Sequence, residues 1–124
     1  MIGWYCIAIF PYYNASARKM GFKKRPICII GKADSSDYIT LPISKVSHKE
    51  NIDGEFDIEI MSQDYPLMKL KVDSYIRTHK QTVTHKAEIV SYITNMKEEY
   101  SELWIEILSR VEVFQKKMID SGID

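Results

Sequence analysis

Short apolar runs of strand-like composition alternate with polar segments over the first 84 residues. Aliphatic, β-branched and aromatic residues dominate these runs, and residues 55–60 alternate acidic and apolar side chains, as a half-buried strand does. The pattern predicts strands at residues 4–10, 26–30, 38–46, 55–60, 67–72 and 74–84. Closely spaced short strands with no helix between them are typical of a small antiparallel barrel.

Breaker residues set the expected boundaries of these strands. Pro11 is predicted to end the first strand, and residues 12–24 to form a polar loop. Pro42 bends the third strand or places it at a sheet edge, because proline lacks the N–H that a ladder needs. The Asp53-Gly54 pair is a turn signal ahead of the fourth strand.

The hydrophobic period changes to that of a helix near the end of the chain. Asn95 followed by Glu98 is a capping-box pattern, and Gly122 is expected to stop the helix. We predict one domain over residues 1–124, with a barrel at 1–93 and an amphipathic helix at 95–120. One helical face carries Met96, Tyr100, Leu103, Trp104, Ile107, Leu108, Val111, Phe114 and Met118. This stripe is wider than a small barrel needs, which favours an additional partner or dimer contact.

Charge is balanced overall but unevenly distributed. The 17 basic residues match 17 acidic ones, yet residues 1–32 contain no acid. Residues 69–86 are also basic, with Asp73 as their single acid. A chain that is neutral overall and locally basic fits a compact anion-binding site, while solvated loop lysines are the alternative.

Nothing in the sequence indicates export or membrane insertion. No apolar run is long enough to span a bilayer, and residues 1–10 lack the basic start and cleavage site of a secretory signal, so we expect the cytoplasm. Cys6 and Cys28 lie in apolar runs without a Cys-x-x-Cys pair, a pattern typical of buried reduced thiols.

Arg77 and His79 are the first candidate catalytic pair. Residues two apart in a strand share a face, about 7 Å apart at Cα, and Ile76 between them is expected to face the core. Arginine can hold a phosphate with its planar fork, and histidine can transfer protons near neutral pH. Metal-free RNA cleavage needs both functions, because the 2′-hydroxyl loses a proton, the phosphorane needs stabilising and the 5′ oxygen gains a proton.

No metal or other cofactor is predicted. About 20 Å of strand separates His79 from His85, too far for one metal ion unless the chain folds back. His48 has no partner at ligand spacing, and the sequence contains no glycine-rich phosphate loop and no hydrolase motif.

A basic turn at residues 23–25 supplies a second set of candidates. Arg25 is expected at a sheet end, where its side chain can reach a groove, and Lys23 and Lys24 flank it. Ser44, which follows the third apolar run, can donate a hydroxyl hydrogen bond to the same groove. A solvated turn and a strand-end serine are the alternatives.

Aromatic residues near the first predicted loop are candidate RNA contacts. Tyr12, Tyr13 and Phe22 can stack on bases, although tyrosines at a loop edge also pack against a barrel. Lys80, in the second basic stretch, is a further RNA-binding candidate.

In their order along the chain, these segments resemble the MazF/PemK family of toxin–antitoxin ribonucleases. Gly3, the following apolar run and Phe10-Pro11 are similar to the family's opening strand. Residues 21–30 (GFKKRPICII) resemble its Gly-x-Lys-Lys-Arg-Pro-apolar signature, the most specific match, and residues 41–44 (LPIS) resemble the strand whose terminal Ser or Thr lines the active site. Residues 73–89 resemble the late strand and a short helical turn, and residues from 93 onward the C-terminal helix.

The resemblance implies both a fold and a function. The fold is an SH3-like barrel of the MazF/PemK/CcdB kind with a C-terminal helix, usually in a homodimer. The activity is metal-independent cleavage of single-stranded RNA, with mRNA as substrate. The partner is a cognate antitoxin whose flexible tail blocks the groove.

The resemblance also assigns roles to individual residues. Arg25 matches the arginine before the family's proline, Ser44 the strand-end hydroxyl, and Arg77 a late-strand arginine that some members use in catalysis. His79 falls where those members carry an aspartate, so its acid–base role departs from the family pattern. Gly3 also lacks the acidic residue that often follows it, and the final helix is longer than usual.

A non-catalytic SH3-like barrel that binds RNA or protein is the alternative function. Gyrase poisons share the barrel, but they resemble one another in an aromatic, glycine-containing C-terminal tail, whereas this chain ends in SGID. We therefore predict an endoribonuclease with Arg25, Ser44, Arg77 and His79 as its catalytic residues.

Overall fold

Seven antiparallel strands form one curled sheet in the computed structural model, which describes residues 1–123. The spatial order is β4-β5-β3-β2-β1-β7, and β6 pairs with β3. The fold is mainly β with a C-terminal helix and is consistent with a small SH3-like barrel, as predicted. The strands are β1 (Trp4–Asn14), β2 (Lys19–Lys32), β3 (Asp37–Ser44), β4 (Asp57–Ile60), β5 (Ser74–Arg77), β6 (Thr82–His85) and β7 (Ile89–Asn95).

The β1–β2 hairpin is longer than the sequence predicted. Pro11 does not end the first strand, and most of residues 12–24 pair in register, from Pro11 opposite Phe22 to Asn14 opposite Lys19. On its other side β1 pairs with β7 only as far as Ala8. Pro11 therefore lies where one side of β1 is unpaired, so that its lack of an N–H costs no ladder hydrogen bond.

Strand β3 changes neighbours at Pro42. Its pairing with β2 stops at Ile27 opposite Pro42, and Ile43 pairs instead with Ile76 of β5. The expected bend at Pro42 is thus the point where β3 leaves β2. Residues 19–26 of β2 consequently keep β1 as their neighbour and have a free edge on the other side.

Three predicted segments differ from the structure. The predicted strand 74–84 is two strands, β5 and β6, because the chain turns at Thr78, whose N–H and hydroxyl both donate to the carbonyl of Phe56. The predicted strand 67–72 is wrong, since Pro66–Met68 is a 3-10 helix. Strand β7 was missed, although residues 89–94 (IVSYIT) are rich in β-branched and aromatic residues; it is an edge strand in which only Thr94 is buried.

The C-terminal helix begins as predicted and ends differently. Asn95 caps it, its Oδ1 accepting from the N–H of Glu98 at 3.2 Å. The helix then breaks at Tyr100, which separates α1 (Met96–Glu99) from α2 (Ser101–Ile123). Gly122 does not stop it, because α2 continues to Ile123.

The larger of two apolar clusters lies between α2 and one face of the sheet, and the smaller cluster includes Cys6, Ile29 and Tyr38. Met96, Leu103, Trp104, Ile107 and Val111 pack in the larger cluster against apolar side chains of the strands. Leu108 and Met118, predicted on the same stripe, are exposed. The helix therefore covers one face of the sheet with only part of its apolar surface.

The two cysteines are buried free thiols, as predicted. Burial raises the pKa of Cys6 to about 12 and also raises that of Cys28. Among residues 1–123, no helix is long and apolar enough to cross a membrane.

Two isoleucines of α2 test how far this packing stabilises the fold. Ile107 is fully buried and Ile105 is 66% exposed, so Ile107→Ala should lower the free energy of unfolding by about 2–5 kcal/mol. Ile105→Ala should change it by less than about 0.5 kcal/mol. Urea unfolding followed by circular dichroism measures both, and equal losses would contradict the assigned helix face.

Candidate functional site

A basic groove lies beside the free edge of β2. The β1–β2 hairpin carries Lys23, Lys24 and Arg25 at the position where β3 has diverged from β2. Side chains alternate along a strand, so Lys24 points to one face and Lys23 and Arg25 to the other. At a free edge all three long side chains can reach the same opening.

The groove has a volume of about 870 Å³ and is lined by cations without a carboxylate among the described residues. Ser44, at the end of β3, and Ser74, at the start of β5, add hydroxyl groups, while Tyr5, Ile7 and Ile93 form part of its apolar wall. The basic residues are Lys23, Lys24, Arg25, Lys45, Lys69 and Lys71. The groove is therefore strongly electropositive in a chain of zero net charge.

The far wall of the groove is the segment that follows the 3-10 helix Pro66–Met68. Met68 is fully buried and anchors the segment, and Lys69 takes a left-handed conformation at φ 53°. The acid of this stretch, Asp73, accepts a hydrogen bond from the N–H of Ser62 at 2.8 Å. Among the described residues, Asp73 forms no ion pair with Lys69 or Lys71.

Of the predicted catalytic residues, the structure brings Arg25 and Ser44 to this groove. Ser44 pairs with Tyr75 of β5 and is half-buried. Arg77 and His79 do not line the groove. The predicted site thus separates into two places.

Arg77 is held by an acidic partner that sequence reasoning missed. Asp57 lies directly opposite Arg77 in the β4–β5 ladder. The Arg77 Nε donates to Asp57 Oδ1 at 3.1 Å, and Nη2 donates to Asp57 Oδ2 at 3.3 Å and to the Asn51 carbonyl at 3.0 Å. The Asp57 carboxylate is fully buried and also accepts from the N–H of Asp53 at 2.8 Å. This arrangement neutralises a buried charge.

His79 lies in the turn after β5, not in the strand, and packs against helix α2. Its ring centroid is 5.8 Å from that of Phe56 and 6.3 Å from that of Phe114. The nearest carboxylate oxygen is Asp57 Oδ1, 3.7 Å from Nδ1. Nδ1 is buried and has no hydrogen-bond partner among the described residues. Arg77 and His79 both approach Asp57, an internal acid, whereas their spacing predicted that they would reach one phosphate.

The predicted RNA-binding residues also fall in different places. Lys23 and Lys24 line the groove, and Tyr12 lines a second, smaller cavity. Tyr13 and Phe22 are exposed on the hairpin. Lys80 is exposed at the turn beside Arg77, away from the groove.

Lys45, Lys69 and Lys71 are groove residues that sequence reasoning missed. The basic stretch of residues 69–86 was a signal for Lys69 and Lys71. The strand predicted at residues 67–72 did not associate these two lysines with any site. Among residues 1–123, no three His, Cys, Asp or Glu side chains are grouped to hold a metal ion.

The Asp57–Arg77 pair predicts a structural role for Arg77. Arg77→Ala leaves the Asp57 carboxylate buried without a cation, which should lower the free energy of unfolding by about 2–4 kcal/mol. This is somewhat less than for a fully buried pair, because 22% of the Arg77 side chain is exposed. Urea unfolding measures the loss.

Lys80→Ala is the matched control, since it removes one exposed cation from the same turn and should change stability by less than about 0.5 kcal/mol. Asp57→Ala combined with Arg77→Ala should cost less than the sum of the two single variants. If the loss in the double variant equals the sum of the two single losses, the interaction between Asp57 and Arg77 contributes nothing to stability.

Comparison with known proteins adds no assignment to this geometry. No protein-family model matches the chain, and a search of curated proteins finds no match. The likeness to the MazF/PemK ribonucleases therefore depends on the order of the sequence segments.

Proposed function

We propose that this chain is a metal-independent endoribonuclease that binds single-stranded RNA in the basic groove, acting as the toxin of a type II toxin–antitoxin system. The observation that carries the proposal is the convergence of Arg25 and Ser44 in one groove that is lined by cations and, within residues 1–123, by no carboxylate. Arg25 belongs to the segment that most specifically resembles the MazF/PemK pattern, and Ser44 ends a second segment that resembles it.

A single nucleic-acid strand suits this groove better than a small anion does. Six cations distributed along an opening of about 870 Å³ can contact several phosphates of one strand. The apolar wall can accept ribose or base surface between those contacts. RNA is the substrate class because cleavage without a metal can use the attacking 2′-hydroxyl of the ribose.

The proposed reaction is an internal transfer at phosphorus. The 2′ oxygen attacks the adjacent phosphorus, the bond from phosphorus to the 5′ oxygen breaks, and the products end in a 2′,3′-cyclic phosphate and a 5′-hydroxyl. Arg25 stabilises the negative charge on the phosphorane with its fork, and Ser44 hydrogen-bonds a reacting oxygen. A lysine ammonium of the groove gives a proton to the 5′ oxygen, and the proton of the 2′-hydroxyl passes to water.

The proposal includes partners and a place of action. A cognate antitoxin would neutralise the toxin by covering the groove, and a second copy of the chain would complete a homodimer. The mRNA substrate places the reaction in the cytoplasm. A short neighbouring gene for an acidic, partly disordered protein would support the toxin–antitoxin assignment.

Removing the groove arginine should remove most of the cleavage. Arg25→Ala should slow cleavage of single-stranded RNA in excess chelator by about 10²–10³-fold, because one donor to the phosphorane is lost. Ser44→Ala should slow it by at least about tenfold. Gel analysis of a labelled RNA measures both rates.

Lys116→Ala is the control, because Lys116 is an exposed cation on α2 outside the groove. Its cleavage rate should equal that of the unmodified protein. The proposal fails if RNA stays intact, if chelator abolishes cleavage, or if Arg25→Ala retains full activity.

A barrel that binds RNA without cutting it is the second candidate. One observation favours it: among the described residues, no histidine or carboxylate lines the groove to exchange protons. Intact RNA together with tight binding and growth arrest in cells would favour this function.

Both candidate functions predict salt-dependent binding. The logarithm of the affinity for a single strand should fall with the logarithm of salt concentration by about 0.7 per phosphate contacted. Removing two cations in the Lys69→Ala, Lys71→Ala double variant should lower that slope by about 1 to 1.5. Fluorescence anisotropy over a salt series gives the slope, and an unchanged slope would exclude this groove as the RNA site.

A further inference from the structure

A second cavity lies across the free edge of β2 from the basic groove. Its volume is about 320 Å³, at the small end of the range for ligand pockets. It lies where the hairpin, β3 and β6 meet. Its walls include Phe10, Tyr12, Ile27, Pro42 and Thr82.

The cavity combines flat apolar walls with hydrogen-bond donors. Phe10 and Tyr12 supply aromatic surface, and the Lys23 ammonium lies 4.7 Å from the centroid of the Tyr12 ring. The guanidinium of Arg25 supplies further donors. Neither Lys23 nor Arg25 forms an ion pair with a described carboxylate, so the donors are open to a ligand.

The hydroxyl of Thr40 is already engaged inside the wall of the cavity. Its Oγ1 lies 2.9 Å from Thr84 Oγ1 and 3.2 Å from the Thr82 carbonyl. Lysine and arginine side chains therefore dominate the available polar groups, and both are donors without acceptor capacity. A ligand that fits should present acceptor oxygens or nitrogens beside a flat ring.

The two cavities share part of their lining. Lys23, Arg25 and Pro42 line both of them. The free edge of residues 19–26 borders both cavities, since no strand within residues 1–123 pairs there on the side away from β1. An RNA strand whose phosphates follow the groove can therefore cross this edge of β2 and place one base in the smaller cavity.

We propose that the smaller cavity is a nucleobase pocket that selects uracil or guanine in the bound RNA. This inference rests on the proposed function, because the groove supplies the phosphate contacts that bring the base to the edge. Guanine presents O6 and N7, and uracil presents O4, to donors such as Lys23. Adenine and cytosine place an amino donor at the corresponding position, where it would face cations.

Gly21 leaves room for the Tyr12 ring beside this pocket. Gly21 lies opposite Tyr12 in the hairpin, and a Cβ at Gly21 would come within 2.9 Å of Tyr12 Cε1. A larger residue at this position would therefore displace the ring. Gly21→Ala changes the pocket without removing any of its lining side chains.

The test uses six-nucleotide 2′-deoxy strands, which lack the attacking hydroxyl and are not cut. Each strand is abasic except for one central uracil, guanine, adenine or cytosine, and a fully abasic strand is the reference. Uracil and guanine should bind about 5- to 150-fold more tightly than the reference, the range for stacking one base. They should also exceed adenine and cytosine by about tenfold.

Tyr12→Ala should abolish the tighter binding of the uracil and guanine strands relative to the abasic strand, and Gly21→Ala should reduce it. Tyr92→Ala is the matched control, because Tyr92 is an exposed tyrosine on the edge strand β7 that lines neither cavity, so it should keep the tighter binding. Circular dichroism must show the same fold for all three variants. Amide shifts of Thr40 and Thr82 with uridine alone give a readout that needs no phosphate.

The outcomes separate this inference from the proposed function. If all strands bind equally tightly while the Lys69→Ala, Lys71→Ala double variant still lowers the salt dependence of the affinity, the smaller cavity is not a base pocket and the groove remains the RNA site. If Tyr12→Ala still binds the uracil or guanine strand more tightly than the abasic strand, the pocket proposal is also wrong. Absence of any strand binding, with no shifts from uridine, would overturn both proposals.

Discussion

The departure of β3 from β2 at Pro42 is the constraint on which the candidate functional surface depends. Proline has no N–H to extend a ladder, and the pairing of β3 with β2 stops at this residue. Ile43 and Ser44 then pair with β5, which curls the sheet around α2. The same departure leaves residues 19–26 of β2 with a free edge, beside which both cavities open.

The placement of charge follows from this architecture. Cations of the hairpin, of the end of β3 and of the segment after Met68 meet at the open edge, although they are distant in sequence. Carboxylates are used elsewhere: Asp73 binds the backbone of Ser62, and Asp57 neutralises Arg77 inside the sheet. A neutral chain thereby presents one strongly positive groove, which favours a polyanion as the ligand.

The sequence predicted most of the fold, and two of its candidate site residues, Arg25 and Ser44, line one groove. Buried runs identified the positions of the core strands, and the helical period together with Asn95 identified the start of the helix. Strand β7 was not predicted, although the run IVSYIT at residues 89–94 is strand-like in composition. The expected loop at residues 12–24 is largely paired, because Pro11 lies where β1 has a free edge and does not interrupt the hairpin. That free edge exists because β7 pairs with β1 only as far as Ala8.

Local pattern by itself determined the mainly β class with its final helix, the buried thiols and the adjacency of Lys23, Lys24 and Arg25. These features depend on near neighbours in sequence, where periodicity and residue type act directly. Tertiary structure decided which charges meet. Strand register placed Asp57 opposite Arg77, and the turn at Thr78 carried His79 away from the strand and onto Phe114. Register and long-range packing set those distances, so Arg77 and His79 lie with an internal acid while Arg25 and Ser44 share the open groove.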